Sequence, residues 1–118
     1  MFSGQSEEQA RRKILAVLLD ETRKVLESAR ELTNVYEYVC NGKKTKIEES
    51  IIEISKAEDE IESFRRALTR ELAEVGSIIM NREDLLRTSY EIEEIAGYSS
   101  GIAFRLSIID NKALKKGK

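Results

Sequence analysis

The chain has 118 residues, 36% of them charged and 41% hydrophobic, with a formal net charge of −2 and no Pro, Trp or His. Without histidine, imidazole-based triads, proton shuttles and His-ligated zinc or haem sites are excluded. The single cysteine, Cys40, excludes an intrachain disulfide and any multi-cysteine metal cluster. The length fits one domain, and the abundance of Ile and Leu argues against wholesale disorder.

Met1-Phe-Ser-Gly-Gln-Ser6 runs straight into charged residues, without the apolar core of a signal peptide, and apolar runs such as Ile14 to Leu19 are too short to span a bilayer. A cytoplasmic protein with no membrane insertion is expected. Residues 45–75 carry a net −4 and residues 76–110 a net −3, while the last eight residues carry +4. So acidic a body repels a phosphate backbone, and nucleic acid is not expected as a partner.

Helix signals then divide the chain. Ser6-Glu-Glu-Gln9 has the form of a capping box, in which side chains at both ends satisfy free backbone N–H groups. Behind it Leu15, Leu18, Val25, Ala29, Leu32, Tyr36 and Val39 recur at helical steps, with Thr22 filling one gap, which predicts a helix over about 6–40. Asn41-Gly42 ends it, because both residues tolerate a left-handed backbone.

Thr45-Lys-Ile-Glu48 reads as a second capping box. It opens a helix over about 45–75 with an apolar stripe of Ile47, Ile51, Ile54, Ala57, Ile61, Phe64, Leu68, Leu72 and Val75. Gly76-Ser77 closes it. Asn81 followed by Glu83 and Asp84 predicts an N-cap with carboxylates where the helix dipole favours them. The third helix, about 81–110, carries Leu85, Leu86, Ile92, Ile95, Ala96, Ile102, Ala103, Leu106 and Ile109, and residues 111–118 form a flexible basic tail. Two short breaks between three long helices imply an all-α, up-down-up antiparallel three-helix bundle over residues 1–110.

Several groups of residues are candidates for chemistry. Asn41-Gly-Lys-Lys-Thr45 precedes a helix start, where backbone N–H groups can hold phosphate. It is no P-loop, since Glu37 and Lys44 stand where that pattern needs Gly and Ser or Thr, and a solvated turn is the preferred reading. Gly97 and Gly101, set inside the third helix at a cost in helix propensity, suggest close approach by a neighbouring side chain, backbone or second subunit. Ile78-Ile79-Met80 is apolar in a predicted loop, either plugging the end of the bundle or meeting a partner. Cys40 has no histidine to activate it and reads as a packed thiol.

The carboxylates form the remaining set. Glu58 and Glu62 stand one turn apart on the second helix, and Glu93 and Glu94 lie on the third. Paired acids on facing helices suit a divalent cation such as iron, zinc or manganese. Their ordinary alternative is a charged outer face, with Arg66 one turn beyond Glu62.

From Ile54 to about Leu106 the pattern resembles the PhoU-like family of phosphate-transport regulators. Asn81-Arg-Glu-Asp-Leu-Leu86 looks like that family's D-R-E-D-I segment, Glu58-Asp-Glu-Ile-Glu62 falls on its E-x-x-x-D motif, and Glu93-Glu-Ile-Ala-Gly97 falls on its D-D-I-x-D cluster. The chain departs from it with an amide at Asn81, with Gly97 in place of the last acid, and with about half the usual length. The resemblance implies a helical bundle holding metal through Glu58, Glu62, Glu93 and Glu94. It also implies a role in phosphate uptake through contact with a phosphate transporter or its regulator. A homodimer or higher homo-oligomer would restore the two-bundle arrangement, with Ile78, Ile79, Met80, Gly97 and Gly101 at the contact.

The expected function is therefore a non-enzymatic regulatory or adaptor protein working by helix-face contacts. The alternatives are a carboxylate-rich metal-binding bundle and a structural homo-oligomeric helical module.

Overall fold

The computed structural model describes residues 7–75 and 81–109. Within them the chain is all-helical: α1 is Glu7–Cys40, α2 is Lys44–Val75 and α3 is Arg82–Ser107, with no strand among the described residues. None of these helices is long and apolar enough to cross a membrane. Ser6, Gly76-Ser77, Ile78-Ile79-Met80 and the 111–118 tail lie outside the described residues.

The α1–α2 break forms as the Asn-Gly pair predicts. Gly42 takes φ 66°; its N–H bonds the Val39 carbonyl at 3.2 Å, and the Lys43 N–H reaches back to the Tyr38 carbonyl at 2.9 Å. These two bonds are the Schellman pattern that satisfies the last carbonyls of a helix. The second capping box does not form as expected. Helix α2 already begins at Lys44, and the Lys43 carbonyl accepts from the Ile47 N–H at 3.0 Å, so Thr45 sits inside the first turn. Asn81 does precede α3, but in a left-handed conformation (φ 65°, ψ 27°) and with no side-chain capping bond. Its carbonyl accepts from the Leu85 N–H at 3.0 Å.

Cross-helix partners set the directions. Glu31 meets Ser50, Lys24 meets Glu60 and Lys13 meets Glu71, so α2 returns along α1. Arg65 meets Glu93 while Glu58 lies against Gly97, so α3 returns along α2. Glu21 meets Ser89, which puts α1 and α3 side by side in the same direction, offset by 68 residues. All three pairs of helices touch, and the bundle is a rod of 62 × 21 × 16 Å.

The core is a strict alternation of four- and three-residue steps. On α1 it runs Ile14, Leu18, Glu21, Val25, Ser28, Leu32, Val35, Val39, and on α3 it runs Leu85, Ser89, Ile92, Ala96, Ser99, Ala103, Leu106. This is a heptad seam, the periodicity that keeps one edge of a helix on its neighbours over many turns. It corrects the expected stripes of α1 and α3. Leu15, Ala29, Tyr36, Ile95, Ile102 and Ile109 are exposed, and Glu21, Ser28, Ser89 and Ser99 take buried places instead. The stripe expected on α2 is the one that holds, with Ile54, Ala57, Ile61, Leu68, Leu72 and Val75 all buried.

Apolar packing falls into three clusters along the rod. One end joins Ala10, Ile14, Leu18, Leu68, Leu72 and Val75; the middle joins Val25, Ile61 and Ala96; the other end joins Val35, Val39, Ile54 and Ala103. Burying each large aliphatic side chain stabilises the fold by about 1.5–3 kcal/mol. Between the first two clusters lies the layer of Glu21 and Ser89.

Candidate functional site

Of the four glutamates expected to hold a metal, Glu58 and Glu62 stand on α2 and Glu93 and Glu94 on α3, and only Glu58 and Glu93 are shown meeting the other helix. The Glu62 carboxylate accepts from Arg66 at 2.8 Å on its own helix. Glu93 is half-buried and bonds the Arg65 guanidinium of α2, which also stacks 5.0 Å over the Tyr90 ring. Glu58 lies over Gly97, where a Cβ would stand 3.7 Å from its Oε2. Glu94 is exposed and, with Glu83, Glu91 and Glu93, rims a shallow surface depression over Leu86, Arg87 and Tyr90. Among the described residues no three acidic or cysteine side chains converge as a group able to hold a metal ion.

Gly97 therefore has an intrachain neighbour, the Glu58 side chain, at ordinary contact distance. A Cβ at Gly101 would meet only Arg105 of its own helix, at 3.4 Å. Ile78, Ile79 and Met80, the other expected interface residues, lie outside the described residues. Cys40 is a free, buried thiol packed at the end of α1.

Two features were not foreseen from the sequence. The first is Glu21, fully buried in the rod. Its Oε1 accepts from the Ser89 hydroxyl at 2.8 Å, whereas Oε2 has no hydrogen-bond partner. Burial pushes its carboxyl up to about 7; the Ser89 hydrogen bond and Arg65 pull down, and the nearby Glu93 charge pushes up. Ser28, two turns further along the same seam, also has an unpartnered buried hydroxyl. A heptad count that ignored residue type would have placed both inside.

The second is an apolar outer face. Lys13, Lys24 and Glu31 mark the flank of α1 that meets α2. At 3.6 residues per turn, Leu15, Leu19 and Leu26 point from the opposite flank, and each is half-exposed. On α3, Tyr90, Glu93 and Gly97 mark the flank toward α2. Ile95, Tyr98 and Ile102 point from its opposite flank, again exposed. Because α1 and α3 are neighbours, the two sets border one face. The signal was present in the sequence as large apolar residues that do not fit the heptad seam.

Comparison with known protein families, with curated proteins and with solved structures gives no match for this chain.

Proposed function

We propose that this up-down-up three-helix bundle is a non-enzymatic regulatory or adaptor protein that works through contacts made by its helix faces. The observation that carries the reading is the apolar face over α1 and α3. On a chain with 36% charged residues, six large side chains from two neighbouring helices are left to solvent on one side of the rod. Large apolar side chains left exposed together on one side of a molecule are typical of interaction sites. The phosphate-uptake context rests on the resemblance of residues 54–106 to the PhoU-like family, and Asn81-Arg-Glu-Asp-Leu-Leu86 does stand at the opening of a helix, as in that family.

The test is crosslinking mass spectrometry on the full chain in its own cells, under phosphate-replete and phosphate-starved growth. The expected result is crosslinks to a phosphate transporter or its regulator that change with phosphate supply. Crosslinks to neither under both conditions would remove the phosphate context.

A further inference from the structure

We infer that α3 is a releasable helix, docked on the α1–α2 hairpin while Glu21 carries a proton and let go when Glu21 ionises. The inference adds a control to the contact face proposed above, because that face exists only while α3 lies beside α1.

Packing singles out α3 as the helix that leaves. Its buried residues are Ser89, Ala96, Ser99 and Ala103, all of them small. Its larger inward side chains, Leu85, Leu86, Ile92 and Leu106, are only partly buried. The hairpin instead buries Ile14, Val35, Ile54, Ile61, Leu68 and Leu72 completely or nearly so. Apolar stabilisation scales with the area removed from water, so α3 gains the least from docking. Elements with few large buried contacts are the ones that open before the whole molecule unfolds.

Electrostatics sets the trigger. Glu21 sits in a polar layer, where Oε1 accepts from the Ser89 hydroxyl and Oε2 is buried without a partner. The charged groups facing it are Arg65 from α2 and Glu93 from α3, which are bonded to each other. On α1 itself Lys24 is drawn to Glu27 and Glu60, and Asp20 to Arg23. A negative Glu21 is therefore attracted toward α2 and repelled by α3. The Ser89 hydrogen bond favours the charged form, but the cost of burying that charge is larger. Moving α3 away admits water to Oε2 and removes the Glu93 repulsion in one step. In the docked state the carboxyl is held near 7, and in water it returns to about 4.5. Docking therefore binds the proton more tightly, so it is favoured in full below pH 4.5 and weakened as pH rises through 7. The chain has no histidine to titrate in the same window.

The experiment is hydrogen exchange of the full chain at pH 5.5 and 8.5, read by mass spectrometry and corrected for intrinsic exchange at each pH. It compares the unaltered protein with Glu21→Gln. The expected result is that protection over 82–107 falls about tenfold or more at pH 8.5, with a clearly smaller fall over 44–75. Glu21→Gln, neutral at both pH values, is expected to keep 82–107 protected. An equal fall in all three helices overturns the inference, since Glu21 then acts only on the molecule as a whole. Unchanged protection over 82–107, or a fall in Glu21→Gln as large as in the unaltered chain, overturns it too.

If Glu21→Gln loses its helical circular dichroism, Glu93→Gln decides. Glu93 is partly exposed, and its neutralisation removes the repulsion and frees Arg65 for Glu21. The response of α3 to pH is then expected to shrink, and a response of unchanged size overturns the inference. Exchange needs no partner, so this result and the crosslinking test of the adaptor reading can fail separately.

Discussion

Glu21 ties the stability of this protein to pH. A carboxyl held near 7 by burial binds its proton more tightly in the folded chain than in the unfolded one, where it titrates near 4.5. Its contribution is therefore fully present below pH 4.5, and is lost as pH rises through 7. A displacement of this size corresponds to at most about 3.5 kcal/mol. The expected outcome is that urea unfolding gives a more stable protein at pH 5.5 than at pH 8.5, and that Glu21→Gln removes most of the difference by keeping a neutral side chain opposite Ser89. Equal pH dependence in the variant would place the titration elsewhere. Ile61, fully buried in the middle cluster, is a separate case: Ile61→Ala leaves a cavity and is expected to cost 2–5 kcal/mol, read from the denaturant midpoint.

At the scale of the elements, the two left-handed residues behave differently on substitution. Gly42 meets its φ of 66° without a Cβ, so Gly42→Ala is expected to destabilise by about 1–2 kcal/mol. Asn81 already carries a side chain in that region and uses none of its capping capacity, so Asn81→Gly should be neutral or slightly stabilising in the same thermal unfolding assay. Gly97 has neither a positive φ nor a crowded Cβ site. Gly97→Ala is expected to stabilise α3 by about 0.5–1 kcal/mol, from helix propensity and a less disordered unfolded state. A loss instead would mean that Glu58 cannot yield the 3.7 Å it leaves.

These same elements show what could be read in advance. The end of α1 was legible because Asn41-Gly42 is a local signal with a local cause, whereas α3 opens after Asn81 without the side-chain cap that its residue type suggested. The faces of α1 and α3 were not legible. Their seam carries Glu21, Ser28, Ser89 and Ser99, and their largest apolar residues lie off it, so a stripe traced by hydrophobicity alone rotates each helix toward the wrong side. On α2 Ser50 is the one polar residue among the buried positions and the rest are aliphatic, and there hydrophobicity and periodicity agree. The glutamates follow the same logic. Their spacing along each helix was visible, but whether Glu93 meets Glu58 or Arg65 depends on helix rotation and register, which no short motif encodes.

As a whole, the molecule is a narrow rod in which each level touches only the levels beside it. Sequence separation along the seams has a consequence for how such a rod assembles. Partners across α1 and α2 begin 19 residues apart at Ser50 and Glu31 and widen steadily away from the turn, and those across α2 and α3 widen from 28 residues at Arg65 and Glu93 to 39 at Glu58 and Gly97. Both seams can close like zippers, each step shortening the loop left to close. The α1–α3 seam has no short end: every pair in it spans about 68 residues. Closing it costs loop entropy that neither neighbour shares until both hairpins exist. The hairpins should therefore form first and the Glu21–Ser89 layer last, so that Ser89→Ala speeds unfolding while leaving the folding rate nearly unchanged in stopped-flow measurements.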